Sequence, residues 1–421
     1  MIKAVNRTAL DNGIRVLTKH MPHVRSVSMG VWVDVGARDE SITENGLSHL
    51  IEHMIFKGTR RRSAYDIAKE FDAIGGHTNA FTSFETTCYH AKVMDSRLES
   101  MVDILADIFL NSVFDPEEIE RERPVILQEI GMSEDSPEDY LQTLAGKAVW
   151  GDTPLGRSIL GTRENVSAFT SSDVKRFFKR LYQPDRILIS AAGNLDHRQI
   201  VDLVRGGFEK IKPGNGFPER TAPSIRATTG VFHRELEQEH FCINTPGISI
   251  TDKRRFAFSI LNTILGGNMS SRLFQDIREQ RGLAYSVYSF ASSFMDRGLF
   301  GVYAGVSPEN TELTIELVLK QLDNLKKTPV GSTELADSKE FIKGNLLLAA
   351  ESNDNQMVRL AQNEINFGRS IPVSEVLAQI EAVSAGDIQE LADRLFDNRQ
   401  FSLTMLGPLT KLGPGFKGLG T

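Results

Sequence analysis

The sequence has few cysteines and no long apolar run. Among its 421 residues only Cys88 and Cys242 are cysteines, and they stand far apart in unrelated contexts. They form neither a disulfide framework nor a thiolate metal cluster, which favours a reducing compartment. No stretch approaches the roughly 20 apolar residues that cross a bilayer, and the N-terminus lacks the apolar core of a secretory signal. We therefore expect a soluble cytoplasmic protein without a membrane span.

The sequence also lacks a basic block. Its formal net charge is −7, and both signs of charge are spread along the chain. This pattern argues against nucleic acid as the main partner. The 40% share of hydrophobic residues is typical of a globular protein with a sizeable core.

The chain is too long for one ordinary core, so we expect two domains. Strand-like and helix-like periodicities alternate, and the second half repeats the order of the first, which predicts two similar α+β domains. The stretch KPGNGFPERTAPS carries three prolines and two glycines and reads as an interdomain linker. The expected organisation is an N-terminal domain, a linker, a C-terminal domain and a flexible tail, at residues 1–211, 212–226, 227–408 and 409–421.

The segment NGLSHLIEHMIFKGT, residues 45–59, carries the strongest chemical signal. On a helix, His49, Glu52 and His53 fall within an arc of roughly 100°. Two imidazoles one turn apart can bind one zinc ion, and the carboxylate between them can take a proton from water held there. A bare pair of histidines at this spacing is more often an ordinary polar helix face. The full H-x-x-E-H string, however, is a metallopeptidase signature.

The segment ERERPVILQEIGMSED, residues 120–135, lies downstream of the H-x-x-E-H string and carries several glutamates. The combination resembles the pitrilysin family of zinc metallopeptidases, the inverted zincins, which includes the mitochondrial processing peptidases and their bacterial relatives. The resemblance implies that Glu129 is the third metal ligand. It also implies that Glu122 supports a ligand histidine without binding the metal itself. Pro124 lies between the two glutamates, and we expect it to kink the helix, which leaves the role of Glu122 open.

Two further segments resemble this family. GGHTNAFTSFETTCYH, residues 75–90, resembles the substrate-binding edge, where Asn79 and Ala80 lie beside the catalytic site and an exposed strand pairs with extended substrate. In the second half, Arg278 and Tyr285 have the spacing of the pair that grips the substrate and polarises its scissile carbonyl. Without the resemblance, a solvated Arg278 and a Tyr285 in the core would be the simpler interpretation.

The resemblance covers nearly the whole chain and implies two α/β-sandwich domains with mostly antiparallel sheets flanked by helices. The N-terminal domain would bind one zinc ion and the C-terminal domain would carry the Arg278/Tyr285 pair. The implied function is an endopeptidase that cleaves short or unfolded peptides in a clamshell chamber formed by a homodimer. A bacterial cytoplasmic protein is expected; a mature mitochondrial matrix protein would look the same. Two alternatives remain: a non-catalytic partner or core subunit, and a module that binds targeting peptides.

Overall fold

The computed structural model describes residues 5–214, 216–217 and 219–411, and these residues form eleven strands. In chain order they are β1 (Asn6–Ala9), β2 (Arg15–His20), β3 (Ser26–Val33), β4 (His77–Thr82), β5 (Thr87–Met94), β6 (Ile187–Gly193), β7 (Thr229–His233), β8 (Glu239–Pro246), β9 (Ala284–Ser293), β10 (Gly298–Val306) and β11 (Ser402–Gly407).

Fourteen α-helices and one π-helical segment, Phe274–Gln280, accompany these strands in the described part of the chain. The helices are α1 (Leu47–Met54), α2 (Ala64–Ala73), α3 (Leu98–Asn111), α4 (Pro116–Asp135), α5 (Pro137–Trp150), α6 (Arg163–Ala168), α7 (Ser171–Leu181), α8 (His197–Phe208), α9 (Arg255–Leu265), α10 (Thr311–Lys327), α11 (Ser332–Ala349), α12 (Asn353–Phe367), α13 (Val373–Ala382) and α14 (Ala385–Leu395). No helix among the described residues has the length and apolar character of a membrane span.

The strands form two sheets with the same order of neighbours. The first runs β1–β2–β6–β3–β5–β4 and the second β7–β11–β8–β10–β9. In each sheet one pair is parallel, β2 with β6 and β7 with β11, and the other pairs are antiparallel. Apart from the additional β1, the second sheet repeats the first strand by strand. The prediction of two similar α+β domains with mostly antiparallel sheets is confirmed.

Strand β3 shows why each sheet carries helices on both faces. Seven of its eight residues are buried, although Ser28 and Gly30 alternate with apolar residues in its first half. Its odd-numbered residues pack into a large core with α1 and α3, whereas Trp32 packs on the other face with residues of α12. Both faces of β3 are therefore covered, by α1 and α3 on one side and by α12 on the other.

The chain divides into two compact units that exchange segments. The first consists of the described residues within Met1–Gly131, Ser158–Arg220 and Leu348–Ser370, and the second of those within Met132–Arg157, Thr221–Leu347 and Ile371–Thr421. The passage from Arg220 to Thr221 lies inside the expected linker, 212–226. The units nevertheless differ from the continuous segments expected, 1–211 and 227–408, and residues 412–421 of the expected tail lie outside the described residues.

The exchange follows from where two amphipathic helices bury their apolar faces. Helix α5 belongs to the second unit, where Leu141 and Ala145 pack with Tyr303 of β10. Helix α12 belongs to the first unit, where Met357 packs with Trp32 of β3. Each helix thus completes the layer over a sheet made mainly by the other half of the chain.

Candidate metal centre

Helix α1 presents the H-x-x-E-H string. Its apolar residues enter the core of the first unit, and this fixes which side faces outward. The residues that anchor it are Leu47, Leu50, Ile51 and Met54. His49, Glu52 and His53 lie on the remaining side, as the helical spacing predicts.

A buried carboxylate holds the start of α1. Gly46 precedes the helix in a left-handed conformation, with φ of 107°, and offers no side chain as a cap. Glu40 supplies the acceptors: its carboxylate accepts the N–H of Gly46 at 2.8 Å, that of Ser48 at 2.7 Å and the amide of Asn45 at 3.1 Å. Burial nevertheless raises the pKa of Glu40 to about 7, against the effect of these donors. Sequence reasoning missed Glu40, because it lies outside the usual capping positions.

Helix α4 brings the two predicted glutamates to α1. It runs without interruption from Pro116 to Asp135, so Pro124 does not break it. Glu122 and Glu129 are seven residues apart and therefore lie on the same side, two turns from each other. The Oε1 atom of Glu122 lies 2.9 Å from Nδ1 of His53. The expected kink thus does not separate Glu122 from the histidine.

His49, His53 and Glu129 converge on one point. Their ligand atoms all lie within 4.8 Å of one another, and Oε2 of Glu129 lies 3.5 Å from Nε2 of each histidine. Two ligands at about 2.0–2.2 Å from a tetrahedral zinc ion are separated by about 3.3–3.5 Å. Among the described residues this is the one cluster of three histidine, cysteine or acidic side chains with metal-binding spacing. Two imidazoles and a carboxylate therefore suit a divalent metal that keeps a further position open.

The protonation of the cluster also suits a metal. Burial, and secondly the charge of His53, lower the pKa of His49 to about 4, so its ring is neutral at pH 7 and its nitrogen can donate an electron pair. Burial favours the neutral form of Glu122, but hydrogen bonds from Lys57 and His53 outweigh it and lower the pKa of that carboxyl. An ionised Glu122 fixes the His53 tautomer that leaves Nε2 free for a metal.

Glu52 has the environment expected of a base beside the metal. Burial raises its pKa, as does the charge of Glu129, whereas hydrogen bonding from Thr82 and the charge of His53 oppose this. Its Oε2 atom is buried without a hydrogen-bond partner among the described residues. A buried, unpaired carboxylate oxygen is costly unless it accepts a proton or a hydrogen bond during function. Thr82, on β4, was not predicted as part of the site.

Asn79 and Ala80 lie on β4, the outermost strand of the first sheet. They point to opposite faces: Ala80 packs against the core that contains α1, and Asn79 is exposed. The Asn79 side chain accepts the N–H of Ala80 at 2.8 Å. Thr82, farther along the strand, donates to the carbonyl of Ser48 in α1 at 3.4 Å, so this edge lies against the metal helix.

Arg278 and Tyr285 lie in the second unit. The Arg278 guanidinium lies 5.2 Å from the centre of the Tyr285 ring and 4.6 Å from that of Phe274, so the two predicted residues are neighbours. The Tyr285 side chain is 80% exposed, so the alternative interpretation of a core tyrosine is wrong. A part-buried arginine beside an exposed tyrosine offers donors to a carbonyl oxygen.

Fold and site together define a two-unit α+β protein with a His-His-Glu metal cluster. Residues 15–163 match the family described as insulinase (peptidase family M16), and residues 168–341 match the peptidase M16 inactive domain. An uncharacterised zinc protease of Streptomyces coelicolor is 41% identical over 97% of this chain and 90% of its own length. One from Bacillus subtilis is 39% identical over 96% and 98%. The chain therefore belongs to peptidase family M16, the insulinase or pitrilysin family, which confirms the resemblance drawn from its sequence.

Solved structures share the fold. A protease from Helicobacter pylori superposes with a TM-score of 0.89 at 23% identity and covers 96% of this chain and 100% of its own. A peptidase M16 inactive domain from Pseudomonas fluorescens gives a TM-score of 0.90 at 19% identity, with coverage of 98% and 100%. At these identities the likeness concerns the fold alone.

Proposed function

We propose that the protein is a zinc-dependent endopeptidase that cleaves short or unfolded peptides. The observation that carries the proposal is the convergence of His49, His53 and Glu129, with Glu52 on the same helix as the two histidines and its Oε2 atom without a hydrogen-bond partner among the described residues. The relatives named as zinc proteases, which align with nearly the whole chain, support zinc as the metal. We expect one zinc ion per chain.

In the proposed reaction the three ligands hold zinc, which when bound acidifies water and polarises a carbonyl oxygen. Glu52 accepts a proton from the attacking water and then delivers it to the leaving amine. The depressed pKa of His49 keeps that ligand neutral, and Glu122 orients the His53 ring. Tyr285 and Arg278 donate hydrogen bonds to the oxygen on which negative charge develops.

Strand β4 provides the surface for the substrate backbone. As the outermost strand it offers unpaired backbone groups, with which an extended peptide can form a further strand. Asn79 and Ala80 lie in this strand, which contacts the metal helix through Thr82. Because backbone pairing is tolerant of sequence, we expect a preference for extended or unfolded peptides over a narrow sequence motif.

The test is digestion of a mixed peptide library by the zinc-loaded wild type and the Glu52→Gln variant, with zinc counted in each. We expect the variant to retain one zinc ion and to lose about 10²- to 10⁴-fold in kcat. Glu120→Gln, on the exposed side of α4, is the matched control and should cleave as the wild type does. A wild type that binds zinc but cleaves nothing would favour a non-catalytic partner subunit or a targeting-peptide-binding module. Absence of zinc would overturn the metal site itself.

We further propose that the protein acts as a homodimer in which each zinc site is completed by the partner's arginine and tyrosine. The support is that one chain carries both the metal cluster and the Arg278/Tyr285 pair. Mixing Glu52→Gln with Tyr285→Phe chains tests this arrangement. If the two residues act across chains, random pairing restores about a quarter of wild-type activity. If they act within one chain, or the protein is monomeric, the mixture stays inactive.

A further inference from the structure

Lys57 lies just beyond the metal helix, at a position that backbone contacts fix. Its N–H donates to the carbonyl of Met54 at 3.1 Å in the turn that ends α1. Gly58 follows with φ of 128°, a conformation that suits glycine and turns the chain away. The Lys57 ammonium lies 2.5 Å from Oε2 of Glu122, while the other oxygen of Glu122, Oε1, lies 2.9 Å from Nδ1 of His53. Lys57, Glu122 and His53 thus form a continuous chain of charged hydrogen bonds.

Burial distinguishes this pair from an ordinary surface ion pair. The Glu122 side chain is only 9% exposed, and that of Lys57 is 31% exposed. Exposed pairs contribute little, because water solvates both charges. A carboxylate buried as deeply as Glu122 is stable as an anion only where donors satisfy both oxygens. Without the ammonium, one oxygen of Glu122 would lose its donor, and its hold on the His53 ring would weaken.

We propose that Lys57 is a positioning residue of the metal centre, which orients His53 through Glu122. The inference rests on the proposed function only in taking His53 as a ligand. It assigns to Lys57 a role two contacts away from the ligand His53: the lysine holds the carboxylate, the carboxylate fixes the ring, and the ring presents Nε2. Loss of the ammonium therefore weakens metal binding although the ligands are all retained.

The test compares Lys57→Met, which keeps an unbranched apolar side chain and loses the charge, with Lys57→Arg, which keeps the charge. Zinc affinity is measured by competition with a chelating dye, and the ligand geometry by the visible absorption of the cobalt-loaded protein. We expect Lys57→Met to weaken zinc binding about tenfold and to alter the cobalt spectrum. Lys57→Arg should stay within about threefold of the wild type, since a guanidinium also donates to a carboxylate.

Two controls separate positioning from a general loss of structure. Lys69→Met removes an exposed lysine of α2 and should change neither affinity nor spectrum. In the Glu122→Gln background, Lys57→Met should weaken binding by less than about twofold more, because the two residues act in one chain. Unfolding of the metal-free proteins shows whether Lys57→Met alone folds. If it does not, the Glu122→Gln protein with and without Lys57→Met still measures whether the lysine acts apart from Glu122.

A Lys57→Met variant with wild-type zinc affinity and cobalt spectrum would overturn the role of Lys57. So would equal losses from Lys57→Met in the wild-type and Glu122→Gln backgrounds. Either result leaves the proposed function intact, provided that the wild type binds zinc and cleaves peptides. A wild type that binds neither zinc nor cobalt would instead overturn the metal site.

Discussion

The two units of the chain are built on one plan but differ in what their corresponding helices carry. Both sheets have the same strand order, and in each a helix follows the central strand, α1 after β3 and α9 after β8. Helix α1 carries His49, Glu52 and His53 on its outer side, whereas α9 reads RFAFSILNTIL and is largely buried. No cluster with metal-ligand spacing occurs in the described part of the second unit. The comparison shows that the fold alone does not make the site.

The second unit contributes different chemistry at a different place. Its arginine–tyrosine pair, Arg278 and Tyr285, lies at the π-helical segment and the start of β9, the edge strand that corresponds to β4. Both units thus place their candidate functional residues at or beside the edge of a sheet. In the proposed function the first supplies metal ligands and a base, and the second supplies hydrogen-bond donors. This division predicts separable effects on zinc binding and on turnover.

Tyr285→Phe tests that division and has the largest expected effect. Loss of one donor to a developing oxyanion lowers kcat by about 10²- to 10³-fold, whereas the zinc content should stay the same because the metal cluster lies in the first unit. Steady-state kinetics on a fluorogenic peptide, together with metal analysis, measure both. Tyr65→Phe, at a comparably exposed tyrosine of α2, is the control. Unchanged kcat in Tyr285→Phe would remove the second unit from the proposed chemistry.

Much of this arrangement could be predicted because it depends on short-range pattern. The spacing of His49, Glu52 and His53 places them on one helix side whatever surrounds them. The role of Glu129 as a metal ligand was predicted from the family resemblance. An acidic helix such as α4 offers many carboxylates, and periodicity alone does not distinguish among them.

The parts that could not be predicted depend on long-range packing. An amphipathic pattern shows that α5 and α12 each bury one face, but it does not show which sheet each helix covers. The exchange of segments between the units was therefore not predicted. The same holds for Glu40, which caps α1 from outside the usual capping spacing. Lys57 and Glu122 lie 65 residues apart in the sequence (122 minus 57), and no local sequence pattern predicts that they form a pair.

The starts of α1 and α9 differ in the environment of the acidic residue that accepts a backbone N–H there, which predicts opposite pH dependences. Glu40 is buried, and its pKa rises from 4.5 to about 7 on folding. Its contribution to stability is therefore fully present below about pH 4.5 and is lost as pH rises through 7, by at most about 3 kcal/mol. Asp252 accepts the N–H of Arg254 at the start of α9, and the hydrogen bond from the Arg254 side chain lowers the pKa of Asp252. Its contribution is present above about pH 4 and is lost in acid.

Urea unfolding of the metal-free protein between pH 4.5 and 8 measures this difference. The stability advantage of the wild type over Glu40→Gln should shrink as pH rises, whereas that over Asp252→Asn should stay constant in this range. Asp252→Asn should cost less than about 1 kcal/mol, since the pair lies near the surface. Parallel pH profiles for the wild type and Glu40→Gln would show that Glu40 does not titrate on folding.

The smallest expected difference concerns the free energy of unfolding and compares the two exchanged helices, α5 and α12. Each of them begins with an acidic residue that contacts the sheet on which the helix packs. At the start of α5, Glu138 accepts the phenol of Tyr288 at 2.6 Å. At the start of α12, Asp354 pairs with the Lys92 ammonium at 2.7 Å and accepts the hydroxyl of Ser28. The Lys92 and Asp354 side chains are both more than a third exposed, so water competes for their charges.

Replacing each acid by its amide should separate the two attachments. Glu138→Gln should lower the free energy of unfolding by about 2 kcal/mol, since a charged acceptor is lost from a part-buried phenol. Asp354→Asn should cost less than about 1 kcal/mol, and that cost should vanish in high salt. Urea unfolding at low and high salt measures both, with Asp202→Asn as a control for an exposed acid in the first unit. Equal, salt-sensitive losses would mean that both helices are held by surface charge, and the comparison between buried and exposed attachment would fail.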